Sequence, residues 1–488
     1  MTTAAQETTP IKRFWLYLLM ITALAGGMRL YNLGEYSFWE DELYTVRSAG
    51  TFGEGQVSKQ FGQIPSALGM MAAGIDLSKL DRDNVSQWRS LGVTEWRVRI
   101  GPCIVGILTI LLLGMASRRL LGDRATLIAV LILAVSPWHL FWSQAGRFYA
   151  LQFLCYNLAL VWYLRACLER SARVAALSSV ALVLAYLAQP PAILICLILA
   201  GDLIGCLVRR EPIGLTKIGW ALGITAVAIC VVTQLYDVGQ SKDAWDYWGS
   251  LQGHTWKVIG ASMVLRNQPI LVAVAGLSLL GLLRKQPRLV LYLGMGAVLP
   301  VLALMALTFK DGMYVHERYC FIVHFAWVAL AAVGLGAVWE SVEEHRGKLL
   351  AGVGVAAVVV SLLWADLGYY RDGYRRRWQE AFAYVKPLRQ PGEDVACFSS
   401  KRTPVARYYL ETDDVLEYGA FPTSPQMLAE LKRPTWLVLP AVSATRGELF
   451  PWLNEDADLK RYYDLRVLQP FASIRVYYYQ PPQTRVPK

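Results

Sequence analysis

Charged residues are scarce in this sequence of 488 residues. Only 17% of the positions are Asp, Glu, Lys or Arg, whereas 55% are hydrophobic. Soluble globular proteins carry about 25% charged residues, and here long apolar runs recur from residue 14 to residue 364. A compact soluble enzyme, a disordered chain and a disulfide-rich scaffold are therefore excluded. The composition indicates a polytopic membrane protein.

Sequence signatures of a zinc site, a disulfide in the polar part and a nucleotide-binding loop are also missing. The five His residues occur singly, without the His/Cys spacing of a zinc site. Of the eight Cys, only Cys397 lies in the polar C-terminal part, so no disulfide can be drawn there. No Gly-rich phosphate loop follows a strand, which argues against nucleotide-sugar binding. The net charge of +11 needs no nucleic acid, because much of it lies in short loops between apolar runs.

Charge density divides the chain into two parts. Residues 1–369 contain 53 charged positions, whereas the last 119 residues contain 32, about twice the density. We therefore predict a transmembrane domain over 1–369 and a soluble domain over 370–488. Strand-length apolar runs at 395–398 and 436–439 occur with helical candidates at 404–411 and 424–432 and a candidate hairpin at 465–479. This pattern predicts an α/β fold.

Hydropathy predicts about eleven transmembrane helices. The predicted spans are 14–30, 98–116, 125–142, 148–164, 175–188, 192–208, 218–236, 267–283, 289–309, 319–339 and 349–366. An alternative for the first run is a cleaved signal peptide, because Ala23-Leu24-Ala25 has the small-x-small form of a cleavage site. In either case residues 31–97 form a long loop on the outer side.

Basic residues set the predicted orientation. The connectors on one side of the spans carry 16 Lys and Arg, and the short connectors on the other side carry six. The positive-inside rule then places the N-terminus in the cytoplasm and the C-terminal domain outside. An odd number of spans gives the same orientation.

Polar residues cluster at four places on the predicted outer side, at 29–42, 94–99, 136–149 and 315–319. The clusters supply the carboxylates Asp41, Glu42, Glu95 and Glu317 and the guanidiniums Arg29, Arg99, Arg147 and Arg318. Arginine suits phosphate because its planar fork donates hydrogen bonds in pairs, and a nearby carboxylate can act as a general base. The alternative is that these charges anchor loops at the lipid headgroups.

The motifs in these clusters resemble those of a known family. An Arg ends the first span, Trp39-Glu40-Asp41-Glu42 follows in the first outer loop, and SPWHLFWSQAGRFYAL covers 136–151. This order resembles the C-type (GT-C) membrane glycosyltransferases. It is closest to the protein O-mannosyltransferase-like branch, which includes the lipid A aminoarabinose transferases. The resemblance implies the GT-C fold and a multi-pass protein of the bacterial inner membrane, with the C-terminal domain periplasmic or extracellular.

The resemblance also implies an activity and site residues. Such enzymes transfer a sugar, with inversion, from a polyprenyl-phosphate carrier to a glycan, lipid or protein acceptor. Asp41 would be the general base, and Glu42 or Glu95 a second acidic residue. The departing phosphate would be held by Arg99, Arg147 or Arg318, which we expect to converge with Asp41 on one cavity. The remaining substrate-binding candidates are Arg29, Tyr149, Glu317 and Tyr319. No cofactor is required, although an Asp-Glu pair is able to hold a divalent metal.

The sequence departs from the family at one motif. Family members usually carry His-Pro-Pro-Leu or Lys-Pro-Pro-Leu in the first outer loop, whereas this chain reads Gln63-Ile64-Pro65-Ser66. The second acidic residue and the acceptor preference are therefore left open. Two alternatives to a transferase are left open: a non-catalytic flippase for lipid-linked sugars, and a polysaccharide polymerase or ligase. A flippase should carry charges deep in its spans, and here only Asp202 comes close.

Overall fold

The structure is a computed structural model that divides into two compact units. It describes residues 11–50, 61–81, 83–210, 223–224, 226–228, 254–284, 286–309, 315–341, 344–372, 376–397, 403–416, 431–440, 442–443, 447–448, 459–465 and 474–479. The first unit comprises residues 1–31, 102–144 and 148–366, and the second comprises 32–101, 145–147 and 367–488.

The first unit is built from long apolar helices. Its described helices are α1 (Ile11–Leu30), the part of α4 (Glu95–Leu121) from Pro102 onwards, α5 (Asp123–Ala134), α6 (Pro137–Ser143), α7 (Tyr149–Glu169), α8 (Ala172–Ala188), α9 (Cys196–Arg209), α10 (Trp256–Asn267), α11 (Pro269–Leu282), α12 (Pro287–Leu307), α13 (His324–Ser341) and most of α14 (Glu344–Asp372). Short 3₁₀ helices precede α9 at Pro190–Ile195 and α13 at Glu317–Val323.

These helices confirm a polytopic α-helical fold. In the described part of the chain, six helical segments are long and apolar enough to cross a membrane, or eight if each of two bent pairs forms one span. Every predicted span except 218–236 coincides with a helix, and 218–236 lies almost entirely outside the described residues. Two predicted spans fall on helices outside this count: Ala172–Ala188 is apolar but only 17 residues long, and Ile11–Leu30 is not among the eight segments.

The two bent pairs are broken at proline residues. Helices α5 and α6 meet at 62°, and α10 and α11 meet at 93°. In the first pair, Ser136 is the N-cap of α6 and accepts a hydrogen bond from the backbone of His139, while Pro137 lacks the N–H that would continue the preceding helix. The breaks therefore bring polar backbone and side chains into an otherwise apolar unit.

The second unit combines short helices with a mixed sheet. Its helices are α2 (Glu40–Ala49), α3 (Ile64–Ala72), α15 (Trp378–Val385) and α16 (Thr403–Leu410), with 3₁₀ turns at Leu77–Lys79 and Val85–Gln87. Its strands are β1 (Asp394–Ala396), β2 (Thr435–Pro440), β3 (Val442–Ser443), β4 (Gly447–Glu448), β5 (Leu459–Leu465) and β6 (Ile474–Tyr479). The main sheet has the order β1-β2-β6-β5, in which only β1 and β2 are parallel. Strands β3 and β4 pair separately.

One hydrophobic core holds the second unit together. It unites Phe38 and Trp88 from the loop before α4 with Trp378, Phe382 and Tyr408 from the C-terminal helices. The packing therefore divides the chain differently from the predicted boundary at 369/370. The predicted first outer loop packs with the C-terminal region in this core.

Candidate active site

Helix α2 presents the Asp-Glu pair at its N-terminus. Glu40, Asp41 and Glu42 occupy its first turn, where the helix dipole favours negative charge. The Glu42 carboxylate accepts a hydrogen bond from the backbone N–H of Trp39, the N-cap residue, at 3.4 Å. Glu42 is fully buried, whereas Asp41 is only partly buried. The two adjacent acids therefore have different environments and different chemical uses.

Glu42 forms a buried, bidentate ion pair with Arg99. The Nε and NH2 groups of Arg99 donate to the two carboxylate oxygens at 2.9 and 2.7 Å, and both side chains are fully buried. The other N–H groups of Arg99 donate to the backbone carbonyls of Leu33, Tyr36 and Ser37. All five donors of this guanidinium are thus used. A substrate phosphate could bind Arg99 only by displacing one of these acceptors, and the phosphate contact of Arg99 stays a prediction.

Gly146 allows a second close contact with Glu42. Its backbone N–H donates to Oε1 of Glu42 at 2.7 Å. A Cβ atom at this position would lie 2.7 Å from Cγ1 of Val98 and 3.4 Å from Oε1 of Glu42. Only glycine fits here without displacing a neighbour. The SQAGR segment is therefore held against the acidic helix by a backbone contact that sequence motifs alone do not reveal.

Arg147 connects this segment to the backbone of Asp41. Its NH1 group donates to the carbonyl oxygen of Asp41 at 2.7 Å and to Oγ1 of Thr45 at 3.1 Å. The Thr45 hydroxyl in turn lies 3.0 Å from Oε1 of Gln63. A guanidinium is thereby fixed at the first turn of α2, on which the partly buried Asp41 lies.

Glu95 is anchored to the C-terminal region. The hydroxyl of Tyr409 donates to its carboxylate at 2.5 Å and accepts the backbone N–H of Phe38 at 2.7 Å. Burial, reinforced by the negative charge of Glu95, raises the pKa of Tyr409 well above its usual value, so this hydroxyl keeps its proton. Glu95 therefore serves as an acceptor in a structural bridge within the second unit.

In the first unit, Arg29 lies at the break between α5 and α6. Its guanidinium donates to the carbonyls of Ala134 at 2.9 Å and Leu133 at 3.3 Å, which end α5. It also lies 2.6 Å from Nδ1 of His139. A guanidinium only donates, so this Nδ1 must be the unprotonated ring nitrogen. Arg29 thus satisfies C-terminal helix carbonyls, which is a common use of a cation.

The remaining predicted residues lie together at the start of the 3₁₀ helix Glu317–Val323. The Arg318 guanidinium carbon is 5.9 Å from the ring centre of Tyr149 and 6.0 Å from that of Tyr319. Glu317 is paired with Arg266 at 2.9 Å and accepts a hydrogen bond from Ser262. The predicted residues are thus divided between the units: Asp41, Glu42, Glu95, Arg99 and Arg147 lie in the second, and Arg29, Tyr149, Glu317, Arg318 and Tyr319 lie in the first.

Several residues in these networks were not predicted as site residues. Thr45, Gly146 and Tyr409 each make contacts across a long stretch of sequence, and only Gly146 lies inside a recognised motif. Throughout the described ranges, no group of three or more His, Cys, Asp or Glu side chains is arranged to hold a metal ion.

The fold resembles those of several solved structures. Over 96% of this chain and 98% of the other, the structure matches the apo crystal structure of ArnT from Cupriavidus metallidurans, with 14% identity and a TM-score of 0.57. The same protein bound to undecaprenyl phosphate matches with 15% identity and a TM-score of 0.57 over 95% of this chain and 98% of that one. The oligosaccharyltransferase of Archaeoglobus fulgidus matches with 11% identity and a TM-score of 0.51, over 87% of this chain and 68% of that one.

A sequence family matches as well. Residues 89–236 fit the family described as dolichyl-phosphate-mannose-protein mannosyltransferase, whereas no curated protein matches the sequence. The resemblance to the C-type glycosyltransferases and their O-mannosyltransferase-like branch is therefore confirmed. Over residues 89–236 the family match supports the resemblance to these glycosyltransferases, and the solved structures support a multi-pass membrane fold.

Proposed function

We propose that this protein is an inverting glycosyltransferase that moves a sugar from a polyprenyl-phosphate-linked donor to an extracytoplasmic glycan, lipid or protein. The observation that carries the proposal is the first turn of α2, where the partly buried Asp41 lies beside a guanidinium bonded to its own backbone carbonyl. A base on a helical turn to which a cation is hydrogen-bonded suits a reaction in which one hydroxyl loses a proton and one phosphate leaves. The likeness to a protein that was crystallised with undecaprenyl phosphate supports the choice of carrier.

In this proposal Asp41 accepts the proton of the acceptor hydroxyl. The acceptor oxygen forms a bond to the anomeric carbon of the donor, and the bond from that carbon to the phosphate oxygen breaks. The bonding electrons leave with the polyprenyl phosphate, whose developing negative charge Arg147 stabilises. A phosphate is a good leaving group and needs no protonation, so one carboxylate base is sufficient. This differs from the paired carboxyl groups of typical glycosidases.

Glu42, Arg99 and Gly146 have positioning roles. Their contacts fix the first turn of α2 against the loop carbonyls and the 145–147 segment. A shift of about 1 Å in a reacting group can cost two orders of magnitude in rate, so this support matters for the chemistry. The roles of Arg29, Tyr149, Glu317, Arg318 and Tyr319 in substrate binding stay predictions, as do the bacterial inner membrane and the N-cytoplasmic orientation.

The decisive experiment is a transfer assay. Purified protein in lipid nanodiscs is incubated with a panel of radiolabelled polyprenyl-phosphate sugars and with cell-envelope fractions as acceptor. We expect transfer from one donor and a decrease of about 10²–10⁴-fold in the Asp41→Asn variant, which keeps the size but loses the basicity of the side chain. Asp81→Asn is the matched control, since Asp81 is exposed in the same unit and an amide oxygen still accepts the hydrogen bond from Asp83.

Two results would contradict the proposal. Movement of the labelled lipid across the bilayer without any sugar transfer would favour a flippase. Transfer that requires a diphosphate-linked glycan would favour a polymerase or ligase. If Asp41→Asn retains full transfer, the enzyme class survives but the assignment of the base does not.

A further inference from the structure

An apolar groove of about 420 Å³ runs along the first unit between α1 and α5. Four of its lining residues lie on α1, from Tyr17 to Leu24, and three lie on α5, from Leu127 to Leu131. The side chains of Tyr17 and Leu24 are about half exposed. Helix α1 carries the first predicted span, and α5 belongs to a bent pair that is apolar enough to cross a membrane. The open side of the groove therefore suits an acyl chain of the bilayer.

Helices α1 and α5 run side by side in the same direction. At their starts, the guanidinium carbon of Arg118 lies 4.3 Å from the ring centre of Phe14, and Arg118 also forms an ion pair with Asp123 at 2.7 Å. At their ends, Arg29 donates to the carbonyl of Ala134. The groove thus has one end at the first turns of both helices, on the side that the sequence predicts to be cytoplasmic.

Two exposed arginines continue the lining faces at that end. Arg13 lies four residues before Tyr17, and Arg124 lies three and seven residues before Leu127 and Leu131. Residues at these spacings share one face of a helix. Long side chains on a helix lean towards its N-terminus, so both guanidiniums extend beyond the apolar lining to the level where lipid headgroups lie.

We propose that this groove binds an anionic phospholipid of the membrane, with one acyl chain along the groove and the phosphate on Arg13 and Arg124. The planar guanidinium of arginine donates hydrogen bonds in pairs to phosphate oxygens. A basic end on an apolar groove matches a lipid that joins a negative phosphate to a long chain.

Two nearby carboxylates leave this end positively charged. Asp123 accepts hydrogen bonds from Arg118 at 2.7 and 3.0 Å, which neutralise it. Glu340 lies 3.5 Å from Arg124, but both side chains are about half exposed, so the pair is weak and a phosphate can replace it. Arg13 adds a further charge. An anionic headgroup should therefore bind better than a zwitterionic one.

This inference goes beyond the proposed function and does not depend on it. A polyprenyl phosphate also joins a phosphate to a long chain, so the carrier lipid is the main competing occupant. Arg29, a candidate for the donor site, lies at the other end of α1. It is 16 residues from Arg13, or about 24 Å along the helix. A phosphate on Arg13 is thus at the opposite end of α1, which favours a phospholipid as the occupant.

The first experiment measures the affinity of the detergent-solubilised full-length protein for single lipids by native mass spectrometry. We expect dioleoyl phosphatidylglycerol to bind at least about 5-fold more tightly than dioleoyl phosphatidylcholine. Arg13→Gln and Arg124→Gln should each weaken phosphatidylglycerol binding by about 5-fold and leave phosphatidylcholine binding unchanged. Arg173→Gln is the matched control, since Arg173 is exposed in the first turn of α8 on the same predicted side.

A second variant tests the groove without changing its charge. Ile128→Trp fills the groove and keeps both arginines. Binding of dioleoyl phosphatidylglycerol should weaken by roughly 10-fold, because its chain loses apolar contact. Binding of dihexanoyl phosphatidylglycerol, which has the same headgroup and short chains, should change little. Leu177→Trp is the control, at an exposed position of α8.

Several results would overturn the inference. Equal affinity for the two dioleoyl lipids would exclude a charged site, and arginine variants that behave like Arg173→Gln would exclude these two residues. Displacement of phosphatidylglycerol by an equimolar amount of geranylgeranyl phosphate would assign the groove to the carrier lipid. A dimer that dissociates in Ile128→Trp, with unchanged lipid binding, would assign it to a second copy of the chain. Sugar transfer is a separate measurement, so its absence refutes the proposed function without affecting this site.

Discussion

At the residue scale, neighbouring acids in this protein differ in burial and therefore in use. Glu42 is fully buried and holds Arg99 by two hydrogen bonds, whereas Asp41 is partly buried on the same helical turn. A buried ion pair is costly to desolvate, and it persists only when its donors and acceptors are satisfied. This pair meets that condition, because Arg99 also donates to three loop carbonyls.

Breaking the Glu42–Arg99 pair should be more harmful than removing both partners. Glu42→Gln or Arg99→Met alone leaves an uncompensated buried charge, which typically costs 3–5 kcal/mol. The double variant should be destabilised by less than the sum of the two single variants. Thermal or denaturant unfolding of all four proteins in the same detergent measures the coupling. Additive effects of the two substitutions would show that the pair is not coupled.

The tyrosine pair of α16 gives a second test at this scale. Tyr409→Phe removes a hydroxyl that donates to Glu95 and accepts from Phe38, so a buried carboxylate and a buried N–H both lose a partner. We expect a loss of about 1–3 kcal/mol in unfolding free energy. The comparison variant is Tyr408→Phe, whose hydroxyl donates only to the carbonyl of Val93, and its effect should be smaller. Equal effects would contradict the bridge to Glu95.

His316, which precedes the 3₁₀ helix Glu317–Val323, and His254, whose ring centre lies 4.1 Å from that of His316, make a prediction for pH. Burial lowers the pKa of His316 well below 6.5, with Arg318 acting in the same direction. Burial lowers the pKa of His254 as well, although Glu317 opposes this. In the unfolded chain both rings take up protons below about pH 6.5, whereas in the folded chain their Nδ1 atoms accept backbone N–H groups. Stability should therefore be full above pH 6.5 and fall as the pH decreases.

The measurement is the melting temperature between about pH 7.5 and pH 5. We expect the wild type to lose about 1–3 °C over this range through these two groups. His316→Asn should reduce the loss, because the titrating ring is gone. His345→Asn is the control, since His345 is exposed on α14. A control that changes the pH dependence as much as His316→Asn does would contradict this account.

At the scale of secondary structure elements, close backbone approach decides how α3 meets α4. Gly101 in α4 has no room for a side chain, because a Cβ atom there would overlap the carbonyl group of Pro65. Gly69 in α3 is similar, with a Cβ position only 2.7 Å from the backbone nitrogen of Gly101. These two glycines let the helices touch directly, and this contact places Gln63 beside α2.

Gly101→Ala should therefore separate α3 from α4. The added methyl group collides with backbone, which cannot move as a flexible side chain does, so we expect a loss of at least 1–3 kcal/mol. Gly27→Ala in α1 is the matched control. Among the described residues, nothing outside its own helix lies within 4 Å of its Cβ position, and alanine is the better helix former by about 1 kcal/mol. Unfolding curves of both variants test this. A Gly101→Ala protein as stable as the wild type would disprove the close approach.

At the scale of the whole molecule, residues far apart in sequence form one core. The loop residues Phe38 and Trp88 pack with Trp378 and Tyr408, which follow some 300 positions later. The C-terminal region therefore contributes apolar side chains to the same core as the loop.

A chain that ends at Asp372 tests this. Without α15, α16 and the sheet, residues 32–101 lose most of their buried apolar partners, so they should become sensitive to limited proteolysis and transfer activity should disappear. The long apolar helices should remain resistant in the same digest. A truncated protein whose loop stays resistant to protease would show that the loop folds alone.

The sequence by itself indicated the membrane helices and the resemblance to the C-type glycosyltransferases. It did not indicate that Asp41 and Glu42 lie on a helix. Apolar length and basic flanks are local properties, so the predicted spans coincide with helices wherever the structure describes them. The Asp-Glu and SPWHLFWSQAGRFYAL motifs are also local, and they were sufficient to indicate the family.

Only the tertiary structure decided which partner each charged side chain contacts. Arg99 and Arg147 look alike in the sequence. In the structure, Arg99 forms an ion pair with Glu42, 57 positions away, whereas Arg147 donates to the backbone of Asp41, 106 positions away. Which carboxylate meets which guanidinium depends on chain segments that only the folded core brings together. The same holds for Tyr409, whose contact with Glu95 spans 314 positions. A local sequence motif gives the residue types but not the distances between residues that are far apart in the chain. Because hydrogen bonds form only within about 3 Å, the motif does not tell which of these residues pair.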